Sequence, residues 1–93
     1  MESQPIRVEV HYYGALALYA GASQITLELP PAATLRALLD RLAEINPPAY
    51  RDLVADGGFL RVMHNETLVP ADGLEAPLAE GDTVALVPAI SGG

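Results

Sequence analysis

Apolar and polar residues alternate strictly from Ile6 to Tyr13. Ile6, Val8, Val10 and Tyr12 fall on one side, and Arg7, Glu9, His11 and Tyr13 on the other. A period of two marks a strand with one face on a core. Gly14 breaks the pattern, and Ala15 to Ser23 reads as a small apolar loop. Ile25-Thr26-Leu27-Glu28-Leu29 alternates again and stops at Pro30-Pro31, so two strands joined by a long loop make a loose hairpin. The period then changes. Leu35, Leu38, Leu39, Leu42 and Ile45 recur at helical spacing, with Arg36, Asp40, Arg41 and Glu44 on the opposite side. Thr34 precedes this stripe, and its hydroxyl can take a free N–H of the first turn. Asn46-Pro47-Pro48 ends the helix, because a residue before proline avoids the helical region.

The second half of the chain is shorter in its rhythms. Tyr50, Leu53 and Val54 predict a single helical turn closed by Asp56-Gly57-Gly58. Phe59 to His64 reads as a third strand, with Leu60, Val62 and His64 inward and Phe59, Arg61 and Met63 outward. Asn65-Glu66 is a turn signal before a short strand over Thr67-Leu68-Val69. Leu74 and Leu78 anchor an irregular segment. Glu80-Gly81-Asp82 turns the chain into a last strand, Thr83 to Val87, with Val84 and Leu86 inward. Pro88 lacks a backbone N–H, so pairing is expected to stop near it. A hairpin followed by a helix puts the leucine stripe across one sheet face, in a two-layer α+β domain. With the last strand beside the first, the pair is parallel. The expected fold is a ubiquitin-like β-grasp, a mixed sheet with one main helix packed on one face.

Composition narrows the function. Ninety-three residues, half of them apolar, suffice for one core without staples. Residues 1–88 are expected to form the domain and residues 89–93 a flexible tail. Cysteine is absent, which removes disulfides, thiolate metal sites, iron–sulfur clusters and thiol nucleophiles together. A net charge of −7 argues against nucleic acid and suits a basic protein partner. No apolar run approaches the roughly 18 residues needed to span a bilayer, and Met1 to Pro5 is polar with no signal pattern, so a cytoplasmic protein without a membrane partner is expected.

No catalytic constellation stands out. His11 and His64 are isolated, Gly57-Gly58 lacks the Lys-Ser/Thr of a phosphate loop, and the turn before the last strand accounts for Glu80 and Asp82 without a metal. Two other features carry more. Phe59 and Met63 on the third strand, with Ala85 and Val87 on the last, predict an outward apolar patch where a partner binds. Beyond Pro88, Ile90 and Ser91 lead to Gly92-Gly93. Glycine has no Cβ, so this end can enter a channel too narrow for other residues. From Ala89 the terminal carboxylate can extend about 16 Å from the body. The sequence also has no lysine, so an activated acyl group at Gly93 would meet almost no internal amine.

From about Ile6 to Gly93 the chain resembles the MoaD/ThiS-like sulfur carriers, a ubiquitin-related family that includes the molybdopterin synthase small subunit and the thiamin-biosynthesis carrier. Thr34 to Leu42 looks like the family helix. Val62-Met63-His64-Asn65-Glu66 looks like the family's Val-x-Val-Asn-Gly/Gln. Leu78 to Gly93 looks like its closing segment, Leu-x-Asp-Gly-Asp-x-Val, strand, proline, Gly-Gly. His64 replaces an aliphatic residue, and Ala-Ile-Ser-Gly-Gly departs from the usual molybdopterin synthase ending. The resemblance implies a carrier that is not catalytic alone and binds no cofactor itself. In the family, an E1-like adenylyltransferase uses ATP and Mg²⁺ to adenylate the carboxylate equivalent to that of Gly93. A persulfide donor converts it to a thiocarboxylate, and an acceptor such as the molybdopterin synthase large subunit takes the sulfur. The already bare Gly-Gly end implies that no maturation protease is needed. The recipient implied is molybdopterin, with thiamin or another thiolation as alternatives. A ubiquitin-like modifier joined to lysines through Gly93 is the competing reading, and a passive binding module the third.

Overall fold

A computed structural model of the chain describes residues 4–48, 50 and 59–89, and of residues 59, 60, 71 and 89 the backbone alone. Five strands, β1 (Ile6–Tyr12), β2 (Gln24–Leu29), β3 (Phe59–His64), β4 (Thr67–Leu68) and β5 (Thr83–Ala89), form one sheet in the order β2-β1-β5-β3-β4. β1 and β5 run parallel at its centre, and the other neighbours are antiparallel. The described residues also include helices α1 (Ala15–Ala20) and α2 (Leu35–Ile45), a 3-10 turn at Ala71–Gly73, and helical backbone at Pro48 and Tyr50. This is the expected β-grasp.

The period-two residues build the floor of the core. Val8, Val10 and Val84 are fully buried, as are Leu86 and, from α2, Leu35, Leu38 and Leu42. Fully burying one such side chain is worth roughly 1.5–3 kcal/mol, so the leucine stripe on the sheet is the main source of cohesion. Thr34 caps α2 as expected, its hydroxyl accepting from the Ala37 N–H at 3.2 Å. Further free donors of that first turn are satisfied from a distance. Leu35 N–H donates to the Ala76 carbonyl and Arg36 N–H to that of Leu74, which binds the irregular 74–78 segment to the helix. Tyr12 and Tyr50 meet edge-on at 6.1 Å, and Asn46, just past α2, donates to the Tyr12 hydroxyl at 3.2 Å. Burial first, and the neighbouring Tyr12 second, push the Tyr50 phenol up to about 12.

Three expectations change. Residues 15–20 are helical rather than a loop. Leu16 is fully buried and Ala17 and Ala20 pack on the core, so tertiary contact holds a helix too short to stand alone. Ile45, the last position of the α2 stripe, is 43% exposed at the helix end, and Leu39 is only half-buried. Pairing also outlasts Pro88: β3 partners it at Leu60 and Ala89 at Phe59. Tyr13 N–H donates to the Leu86 carbonyl and Glu9 N–H to that of Asp82. By alternation Pro88 therefore turns its backbone polar groups to the β1 side, where β1 has already ended. The missing N–H removes no ladder bond. Of the helical turn expected over Tyr50, Leu53 and Val54, Tyr50 is helical, and residues 51–58 lie outside the described residues.

Candidate functional site

With α2 on the inner face, the outer face of the sheet carries the half-buried odd-numbered residues Glu9, His11, Thr83, Ala85 and Val87. Cross-strand pairing sets His11, Ala85, Met63 and Leu68 in one row across β1, β5, β3 and β4. The next row toward the end of β5 contains Val87 and Arg61. Around the first of these rows is a shallow depression of about 380 Å³ lined by Met63, Ala85 and Val87 together with His11, Tyr13, Glu66 and Thr83. Three of the four predicted partner residues are thus side by side. The Phe59 side chain lies outside the described residues, although its backbone pairs with Ala89. None of residues 14–24 lines the depression, so α1 does not roof it.

Four lining residues were not singled out from the sequence. His11 and Tyr13 fall on the outward side of β1 by alternation, and only the parallel β1–β5 pairing, which sets His11 opposite Ala85, brings them to the depression. Glu66 comes from a two-residue turn in which Asn65 (φ 51) and Glu66 (φ 71) both adopt positive φ, as a type I′ hairpin requires. The rim is thereby polar on one side and aromatic on the other. The His11 ring is held by Glu9 at 2.8 Å.

Both ends of β5 are fixed by contacts between residues far apart in sequence. At its start, His64 Nε2 donates to Asp82 Oδ2 at 2.6 Å. Asn65 Nδ2 donates to Oδ1 at 3.1 Å, and the Ala79 N–H to Oδ2 at 2.9 Å. Asn65 also accepts from the Thr83 N–H at 2.9 Å. Burial alone would raise the Asp82 carboxyl, but the bonds from His64, Ala79 and Asn65 and the His64 charge outweigh it and lower it below its ordinary value. At the other end, Gly14 (φ 59, ψ −139) turns the chain from β1 into α1 against Pro88. A Cβ at Gly14 would lie 3.2 Å from the Pro88 ring. The root of the tail is therefore braced by the β1–α1 corner.

The arrangement suits docking more than chemistry. Each histidine is paired with a carboxylate, and among the described residues neither bonds a hydroxyl nucleophile. No group of acidic, histidine or cysteine residues able to hold a metal occurs among the described residues. Glu80 instead caps the Arg7 N–H at 2.9 Å. No described helix is long and apolar enough to cross a membrane. Ile90, Ser91, Gly92 and Gly93 lie outside the described residues.

The family model of the ThiS family matches residues 10–93. Among solved structures, the small archaeal modifier protein 1 of Haloferax volcanii is 26% identical with a TM-score of 0.74, covering 91% of this chain and 99% of its own. The putative molybdopterin converting factor, subunit 1, of Pyrococcus furiosus is 22% identical with a TM-score of 0.77, covering 91% and 99%. A protein–protein complex of subunits 1 and 2 of the molybdopterin-converting factor from Helicobacter pylori 26695 contains a chain 23% identical, with a TM-score of 0.65, covering 95% and 100%. No curated protein sequence gives a significant match. The family match takes in all but the first nine residues. The chain belongs to the ThiS family of ubiquitin-fold sulfur carriers and modifiers, small proteins that act with partners and are not catalytic alone.

Proposed function

We propose that the chain is a sulfur carrier whose reacting group is the Gly93 carboxylate. The observation that carries this reading is the family match running through the Gly-Gly end rather than stopping with the β-grasp body. A carboxylate is a poor electrophile, and adenylation makes it a good one. An E1-like partner, with ATP and Mg²⁺, joins a carboxylate oxygen to the α-phosphorus and releases pyrophosphate. A persulfide sulfur of a donor enzyme then attacks the acyl carbon and expels AMP. A second thiol reduces the resulting disulfide, leaving a thiocarboxylate on Gly93 and an enzyme disulfide. The acceptor is an enzyme of cofactor biosynthesis, molybdopterin synthase foremost and a thiamin or other thiolation system next. The Helicobacter pylori complex of subunits 1 and 2 supports a large-subunit partner of this kind.

The body's part is to deliver the tail. The braced root at Gly14–Pro88 fixes where the tail starts, and the Met63, Ala85 and Val87 depression offers each partner an apolar seat beside it. Ile90, Ser91, Gly92 and Gly93 then thread the partner's site. Conjugation of Gly93 to lysines is the second reading, favoured by the likeness to the Haloferax volcanii modifier.

Intact mass measurement of the protein isolated from its own host, without reducing or alkylating treatment, separates the two. One oxygen-to-sulfur exchange on Gly93 is expected. Gly93 found on lysines of other proteins transfers the assignment to the modifier. A free carboxylate inert to the host's E1-like enzymes and ATP overturns both.

A further inference from the structure

The outer depression does not account for all of the exposed apolar surface at the tail end of the molecule. From Tyr12 to Leu27 sixteen consecutive residues carry no charged side chain, in a chain of net charge −7. Within this run α1 exposes Leu18 at 77% and Tyr19 at 42%, and Tyr13 just before it is 50% exposed. Leu16, Ala17 and Ala20 already bind the helix to the core. Polar residues at 18 and 19 would leave those contacts intact, so folding does not explain the choice. An exposed apolar surface of this kind marks a contact.

Its position points to an enzyme that acts on the tail. Gly14, the residue before α1, lies against Pro88. Four residues, Ile90 to Gly93, follow the last residue of β5, a reach of about 13 Å beyond it, and any enzyme acting on that carboxylate must come within that distance of the end of β5. Leu18 is four residues past Gly14, about 6 Å of helical rise. α1 is therefore within reach of an enzyme that holds the tail. Tyr13, 50% exposed, lines the depression and lies two residues before α1, its carbonyl accepting the Leu16 N–H at 3.2 Å. Resting on the sulfur-carrier reading, we propose that Leu18 and Tyr19 are a second docking surface for the E1-like adenylating enzyme, seated on an uncharged apolar wall at the mouth of its tail channel.

The test is ATP–pyrophosphate exchange by the host's E1-like adenylating enzyme, with the full chain as variable substrate. The double variant Leu18→Gln, Tyr19→Gln is expected to raise KM for the chain at least tenfold with kcat within twofold, and to keep the native Tm. Leu18→Met is expected to restore native KM when made alone. A KM within twofold of native in the folded double variant overturns the docking surface while leaving the carrier function standing. If the native chain itself supports no exchange, the carrier reading fails and the docking surface falls with it. A double variant with a lowered Tm is judged by Leu18→Ala, whose KM must rise at least threefold for the proposal to stand.

Discussion

The two faces of the central strands are built from alternate residues of the same segments, yet they do different work. On the inner face Val8, Val10, Val84 and Leu86 are closed from water beneath α2. On the outer face Glu9, His11, Thr83, Ala85 and Val87 stay half-buried. β1 and β5 thus carry a core on even-numbered positions and the proposed docking surface on odd-numbered ones. The lesson is that in a two-layer fold a partner surface can be changed residue by residue with little effect on stability, provided the substitutions keep to one parity. β4 is the exception that clarifies this, since both its residues are exposed at the sheet edge.

Breaking the inner face has the largest effect. Leu38→Ala should lower unfolding free energy by about 2–5 kcal/mol in denaturant titration. Asp82→Ala, which releases the knot at the start of β5, should cost about 1.5–3 kcal/mol, because it removes hydrogen bonds to a charged group and leaves the His64 ring and two N–H groups unpaired. Gly14→Ala should cost about 1–3 kcal/mol through its positive φ and the Pro88 ring. The outer face is expected to respond differently. Ala85→Gln should change stability by less than about 0.5 kcal/mol while weakening the adenylating partner severalfold in a direct binding titration. An equal loss of stability from Ala85→Gln and Leu38→Ala would erase the distinction between the faces.

Acid and alkali probe the same contrast. The Asp82 carboxyl is held below its unfolded value, so its contribution is complete above about 3.9, the ordinary carboxylate value, and is lost as pH falls through the lower folded value. The acid limb of native stability should therefore be steeper than that of Asp82→Asn. Tyr50 runs the other way. Its phenol is raised to about 12, so its contribution is complete below the ordinary value near 10 and is lost as pH climbs toward 12. A stability–pH curve of Tyr50→Phe should show a shallower alkaline fall, the remainder coming from Tyr12, whose phenol is also raised by burial.

Local period made α2, the alternating strands and the Thr34 cap legible in the sequence, because each depends on neighbours a few residues away. The outward placement of Met63, Ala85 and Val87 followed from alternation for the same reason. What escaped was held by distant contacts. α1 has no side-chain cap and only six residues, so it exists through Leu16 in the core rather than through any local signal. The His64–Asp82–Asn65 knot joins residues 17 and 18 apart, a pairing that only sheet register reveals. Ladder bonds past Pro88 depended on which side of β5 its backbone faces, which in turn depends on where β1 stops.

The most direct test of the two-face account is methyl NMR of the full chain titrated with the host's adenylating enzyme. The account predicts that Met63, Ala85, Val87 and Leu18 methyls shift or broaden first, with Val8, Val10, Leu38 and Leu42 unchanged. Perturbation confined to Ile45 and Leu39 on the helix side, with the outer-face methyls silent, would contradict it.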